Sequence, residues 1–359
     1  MKKIYTLALI LVVALGFAQP PAGYYNSANS TGYALKTQLY NIIKNHNDRG
    51  YAGLYVTYTT SDKDFYYENN GTMLDMYTEN PTGTECEFTY GVNQDDGTLG
   101  NNECERYNRE HLIPQSVFAS ATPMYSDAHF VVPSDKHVNA ERGDFPFGRV
   151  NTASYTSSNG SKKGQNLNSG YSAGYTGVVF EPINEFKGDI ARCLLYFATR
   201  YQDVVSGYTY TMFNGTQGQV FTPVFLNILL TWNQQDPVSQ REVARNNAIY
   251  ARQGNRNPYI DNNTYVTTIW GSPLATTSFD AIANVSVYPN PSSTNSITIE
   301  SENTIDGIEL ITVNGQLMQQ IKQPLSENHI YKIENLPQGF YLLRLTSDSQ
   351  SITKKIIIN

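Results

Sequence analysis

Two short stretches carry residues whose types and spacing could do chemistry. Asn108-Arg109-Glu110-His111 sets a carboxylate beside an imidazole, and Val138-Asn139-Ala140-Glu141-Arg142-Gly143 follows within one small supersecondary unit. In extended backbone adjacent side chains alternate in direction, so Glu110 can hold a cation while His111 points at a water on another side of a phosphate. Asn139, in the first turn of a helix, adds a neutral oxygen ligand. Carboxylate, amide oxygen and waters together suit a hard ion such as Mg²⁺, which keeps several waters and bridges to phosphate. An imidazole neutral near pH 7 can take a proton from the attacking water, which makes His111 the candidate general base. Arg142, one turn after Asn139, is placed to bind a phosphate oxygen. Arg109 alternates to the face opposite Glu110, where packing or pairing competes with substrate contact. Spacing alone leaves a bland alternative ahead, a surface Glu-His pair with a helix-capping Asn.

Positioning these groups requires an extended segment ending near His111, a strand over Ala128 to Val132, and a helix opening after Pro133-Ser134-Asp135, with Ser134 or Asp135 as cap. Upstream, Ser30 or Thr31 caps a helix running to about Asn45, with Leu35, Leu39 and Ile42 facing the core and His46 at the helix end. Residues 50–77 are ambiguous, although Tyr55-Val56-Thr57-Tyr58-Thr59 favours strand by propensity. Residues 79–106 hold the breakers Asn80-Pro81, Thr82-Gly83 and Asp95-Asp96-Gly97 and read as a long loop. Residues 151–176 have no period and read as a surface excursion. Helical patterns follow from Lys187 to Tyr201, from Pro223 to Trp232, and from Asp236-Pro237 through Tyr250. Asp189 and Arg192 share a face there: a plain ion pair and an arginine aimed at the site carry equal weight.

A formal net charge of −7 argues against holding nucleic acid through a broad basic face, which needs clustered Lys and Arg. An enzyme gripping a few phosphates through a metal and one or two arginines remains compatible. Met1-Lys2-Lys3, an apolar run from Ile4 to Phe17, and Ala18-Gln19-Pro20 have the order of a secretory signal, too short for a permanent anchor. The chain has 3 Cys, an odd number for an oxidising compartment. Cys86 and Cys104 both sit in Gly/Asn/Asp-rich loop and close a short ring, so they form the expected bridge, while Cys193 falls in an apolar helical pattern as a buried thiol. Residues 272–283 have linker composition. Beyond them, short alternating runs separated by Asn314-Gly315 and Pro337-Gln338-Gly339 indicate a small β-sandwich. The expected class is therefore α+β: a signal at 1–19, a mainly helical domain over 20–271, the linker, and a β domain over 284–359.

Asn108-Arg109-Glu110-His111-Leu112-Ile113-Pro114, Asp127-Ala128-His129, and the run from Val138 to Gly148 resemble the signature of the secreted endonuclease I family. Met73-Leu74-Asp75-Met76-Tyr77, Phe180-Glu181-Pro182, the run from Phe186 to Arg192 and the run from Gly254 to Asp261 extend the resemblance over residues 33–271. It implies a ββα-metal site and hydrolysis of DNA or RNA to 5′-phosphate products without sequence preference. It also implies His111 as base, Glu110 and Asn139 as ligands of one Mg²⁺-like ion (Mn²⁺ or Ca²⁺ as alternatives), and Asp127, His129 and Arg142 in support or phosphate contact. One departure stands out: small periplasmic members carry an arginine-containing insertion after the Glu-His pair, whereas Leu112 to Ser126 has no Lys or Arg. Arg142, Arg192 or Arg256 would have to substitute.

Val287-Tyr288-Pro289-Asn290-Pro291, Leu336-Pro337-Gln338-Gly339-Phe340-Tyr341 and the ending Lys354-Lys355-Ile356-Ile357-Ile358 are similar to the C-terminal sorting domain of the type IX secretion system. That similarity implies recognition by the secretion machinery, passage across the outer membrane, and release or surface attachment. No stable protein partner is implied. The competing reading is a non-enzymatic secreted adhesin that binds glycans.

Overall fold

The computed structural model describes residues 20–271, 285–301, 304–312, 315–326, 329–347 and 350–359. The expected signal (1–19) and linker (272–283) lie outside the described residues. The chain divides into two compact units, Met1–Leu274 and Ala275–Asn359.

In the first unit, apolar residues three and four apart build the opening helices. Helix α1 (Gly32–Ile43) buries Leu35, Leu39 and Ile43. Helix α2 (Gly53–Ser61) buries Leu54, Thr57, Tyr58 and Ser61, the i, i+3, i+4, i+7 set of one helical face. The strand preference of Tyr55 to Thr59 is thus overridden by packing. From Ser61 to Tyr107 no helix or strand forms among the described residues, and a Cys86–Cys104 disulfide closes much of this loop. Cys193 is free and buried.

Strand β1 (Tyr107–His111) pairs antiparallel with β2 (Val131–Asp135), with Glu110 opposite Val132 and His111 opposite Val131. The second strand therefore starts three residues later than the Ala128 expected from sequence. Helix α3 (Lys136–Arg142) follows at once, capped by the Asp135 carboxylate, which accepts from the backbone N–H groups of His137 and Val138. The Tyr58 hydroxyl donates to the Val131 carbonyl at 3.1 Å, fixing α2 on this pair.

Residues 151–176 depart from expectation. They contribute to an antiparallel sheet of β3 (Val150–Thr156), β4 (Lys162–Asn166) and β5 (Val178–Glu181). β3 is exposed along most of its length, so no apolar alternation marked it in the sequence. Helix α4 (Lys187–Arg200) is the centre of the unit, with every residue buried. Packed with it are α5 (Pro223–Gln235), α7 (Pro258–Asp261) and α1, while α6 (Gln240–Gln253) lies on α2 and α8 (Thr264–Trp270) on α1. The start of α6 is set by Ser239, not Asp236-Pro237: its hydroxyl accepts from the Glu242 N–H while the Glu242 side chain returns to the Ser239 N–H.

The second unit holds β6 (Ser286–Tyr288), β7 (Ile297–Glu300), β8 (Gly307–Thr312), β9 (Leu317–Lys322), β10 (Ile330–Ile333), β11 (Gly339–Ser347) and β12 (Gln350–Ile358). They form sheets of order β10-β7-β6 and β12-β11-β8-β9. Inward residues of both sheets, among them Ile299, Tyr331, Leu310, Leu343 and Leu345, share one apolar core. β6 and β9 are mostly exposed and so give little alternation to detect in sequence.

Candidate active site

Glu110 and His111 end strand β1, and Asn139 stands in the middle of α3; all three line one cavity of about 220 Å³. Tyr51, Asn108, Arg109, Arg142 and Asp144 share its walls. Glu110 is buried, and its Oε1 accepts from the Tyr77 hydroxyl at 2.9 Å and faces Arg142 Nη1 at 3.2 Å. The second carboxylate oxygen is left for another partner. Burial pushes the Glu110 carboxyl up to about 7, against the downward pull of Arg142 and Tyr77.

His111 Nε2 lies 3.2 Å from the Tyr125 carbonyl oxygen. A carbonyl only accepts, so the neutral ring carries its proton on Nε2 and keeps the lone pair on Nδ1. The ring stacks on Tyr125 at 5.4 Å between centroids, which fixes its plane. Burial pulls the imidazole down to about 4, so it is neutral at ordinary pH. Asn139 Nδ2 donates to Asn108 Oδ1 at 2.7 Å and to the Arg109 carbonyl at 3.4 Å. With its amide nitrogen held on that side, Oδ1 takes the other side. One carboxylate oxygen, one amide oxygen and one imidazole nitrogen are thus each left over after their partner atoms have been fixed.

Comparison with known proteins shows which family the domain around this cavity belongs to. The Endonuclease I family matches residues 31–264, two-thirds of the chain and the whole of this site. The chain belongs to the endonuclease I family. Residues 286–359 match the secretion system C-terminal sorting domain. An extracellular ribonuclease of Bacillus amyloliquefaciens is 33% identical over 253 residues, covering 69% of this chain and 78% of the relative. An extracellular ribonuclease of Bacillus subtilis (strain 168) is 31% identical over 270 residues, covering 74% of this chain and 84% of the relative. PorZ, a type-IX secretion surface component of Porphyromonas gingivalis, matches 23% of this chain and 12% of its own at 15% identity and a TM-score of 0.19, too slight to bear on the fold. The family and these relatives make the protein a secreted or cell-surface nuclease.

In this endonuclease I family member the arginines separate clearly. Arg192 is fully buried, with Nε and Nη2 on Glu242 at 2.5 and 2.8 Å; Asp189 lies 3.9 Å away and pairs mainly with Arg241. The ion-pair alternative therefore describes Arg192, and it does not line the cavity. Arg256 is likewise engaged with Asp261 at 2.7 Å. Arg142 reaches the cavity wall but is committed: besides Glu110 it donates to the carbonyls of His111, Leu112 and Gly143 at 3.0, 2.6 and 3.2 Å. It clamps the end of β1. Arg109 differs. It lies over the rings of Tyr51 and Tyr55, at 3.4 and 4.3 Å, and donates to the Tyr51 carbonyl. It has no carboxylate partner among the ion pairs of the described residues, and that alone separates it from Arg142, since the buried Nε of both lacks a hydrogen-bond partner.

Asp127 and His129 lie outside the cavity lining. Asp127 accepts from the Tyr196 and Tyr201 hydroxyls, the Gln253 amide and the His129 N–H. Burial alone would raise its carboxyl, but His46, His129 and the Gln253 bond outweigh it and hold the group below the usual range. His129 Nε2 meets the Asn255 carbonyl at 3.1 Å. Both residues anchor the segment that presents the Tyr125 carbonyl to His111. Sequence reasoning gave no role to Tyr77, Tyr125 or Tyr51. Two of them act through long-range contacts that no local period announces, and Tyr125 orients the base through its backbone.

Proposed function

We propose that this nuclease is an endonuclease cutting DNA and RNA phosphodiesters without sequence preference, with Glu110 and Asn139 holding a divalent cation and His111 as general base. The observation that carries this reading is the convergence of Glu110, His111 and Asn139 on one cavity, each fixed by a second contact. The strand pair β1–β2 followed by α3 is read as a ββα-metal motif. The donor set fits a hard cation: a carboxylate oxygen and an amide oxygen with room for water favour Mg²⁺, with Mn²⁺ or Ca²⁺ as alternatives. When bound, such an ion supplies positive charge to the phosphate and the leaving oxygen.

His111 Nδ1 takes a proton from water as the water oxygen bonds to phosphorus. The bond from phosphorus to O3′ breaks, O3′ takes a proton from solvent, and the phosphate stays on the 5′ side of the next nucleotide. Arg109, the cavity arginine with no carboxylate partner, binds a phosphate oxygen beside the scissile bond. It takes the part that Arg142, Arg192 and Arg256 do not fill. Because the relatives are extracellular ribonucleases, RNA is the first substrate to test and DNA the second. The second unit, its two sheets read as a stacked sandwich, serves as the address for the type IX machinery.

Purified full chain incubated with single-stranded RNA or plasmid DNA in Mg²⁺ tests the proposal. Expected are 5′-phosphate ends, arrest by EDTA, and loss in His111→Ala. Undiminished cleavage in EDTA would overturn the metal, and undiminished His111→Ala activity the base.

A further inference from the structure

Between α2 and β1 four acidic side chains meet outside the catalytic cavity. Carboxylate oxygens of Asp64, Glu68 and Glu79 lie within 4.8 Å of one another, and side-chain hydrogen bonds join Glu85 to Glu79 and to Glu68. None of the four has a Lys or Arg partner among the ion pairs of the described residues. Glu79 is only 2% exposed, and its Oε1 is buried with no hydrogen-bond partner. Carboxyls this close and this buried cannot all stay ionised: burial and the hydrogen bond to Glu85 push the Glu79 carboxyl up to about 10, so the pair shares a proton that a bound cation would replace.

We propose that Glu68 and Glu79, grouped with Asp64, form a second cation site that takes Ca²⁺ and braces the loop behind the catalytic carboxylate. Asp64 plays a different part: both its oxygens already accept backbone N–H groups, from Tyr66, Tyr67, Glu68 and Asn69. It shapes the turn that presents Glu68 and adds negative charge, while Glu68 and Glu79 supply direct oxygens, Glu85 adds charge beside them and water completes the shell. Ca²⁺ suits this set because it accepts several carboxylates in flexible geometry, whereas Mg²⁺ demands a stricter octahedron. Glu68 lies before the Met73-Leu74-Asp75-Met76-Tyr77 segment, and Glu79 and Glu85 after it. A cation joining them closes the loop that carries Tyr77, whose hydroxyl supports Glu110, and Asp75, whose Oδ2 accepts from the Asp135 N–H at 2.8 Å. The site stands independently of the catalytic assignment.

The test is thermal unfolding of the full chain in EDTA and in 10 mM CaCl₂, a probe concentration about 10 to 100 times the Kd of roughly 0.1–1 mM expected for an extracellular site. Wild type should gain about 3 to 8 °C with Ca²⁺. The double variant Glu110→Gln/Asn139→Ala, which disables the catalytic donors, should keep most of that gain; Glu79→Gln and Glu68→Gln should lose it. Glu68 is exposed, so Glu68→Gln carries the comparison even if Glu79→Gln does not fold. No gain in wild type, an undiminished gain in Glu68→Gln, or a gain abolished in the double variant would overturn the proposal.

Discussion

The cavity at the end of β1 and the buried charge network around α4 use the same residue types to opposite ends. Around α4, arginines are matched to carboxylates: Arg192 to Glu242, Arg241 to Asp189, Arg245 to Asp62 and Arg256 to Asp261. In the cavity, charges and lone pairs are only half matched. Glu110 and Asn139 each keep an oxygen, His111 keeps Nδ1, and Arg109 keeps unpaired donors. Fully matched charges hold helices together; half-matched ones are poised for something that is not part of the chain. The comparison also separates residues of one type, so that an arginine's partner, more than its place in a motif, tells its role.

That division can be broken by mutation. The largest effect is expected from His111→Ala, which removes the proposed base and should lower the cleavage rate about 10²- to 10⁴-fold while the protein still unfolds cooperatively. Arg192→Ala should behave oppositely. Leaving Glu242 buried and unpaired should cost about 3–5 kcal/mol in urea unfolding, with near-normal turnover per folded molecule. A rate loss without destabilisation would move Arg192 to the cavity side of the comparison. Arg109→Ala should lower kcat/KM about 10- to 100-fold, the worth of a charge-assisted phosphate contact, and cost only about 1–2 kcal/mol of stability through the lost stacking on Tyr51 and Tyr55. Steady-state kinetics set against unfolding curves for these three variants distinguish the two regions.

Much of this was legible in the sequence, and the gaps have physical causes. Strand alternation and a helix opening after Pro133-Ser134-Asp135 located Glu110, His111 and Asn139, but local rules alone left a plain surface pair ahead, and the family resemblance singled them out. The Cys86–Cys104 bridge and α4 were legible for similar reasons, a short ring in loop sequence and an uninterrupted apolar period. Helix α2 was not, because Tyr, Val and Thr favour strands and only packing against α6 and β2 overrides them. The place of Arg192 could not be decided at i, i+3 spacing, since its real partner Glu242 lies 50 positions away. The part proposed for Arg109 was hidden for a related reason: it rests on the absence of a carboxylate partner, which a sequence does not display.

Finer variants sharpen the cavity side. Tyr77→Phe deletes the hydroxyl that donates to Glu110 and should weaken apparent metal affinity about 10-fold, measured as the Mg²⁺ concentration for half-maximal rate. The smallest effect is in pH. Glu110 must be ionised to hold a cation and its carboxyl lies near 7, while His111 stays neutral down to about 4. At limiting Mg²⁺ activity should therefore rise with pH up to about 7 and then level. Saturating Mg²⁺ should shift that limb downward, because metal competes with the proton. An acid limb that ignores metal concentration would point to the histidine instead.

The most direct test is a crystal soaked in Mn²⁺, read by anomalous scattering. A peak within bonding distance of Glu110 and Asn139, absent from a Glu110→Gln crystal, is predicted. A cavity without a peak, in a crystal whose nuclease is active in the same Mn²⁺ buffer, would contradict the account.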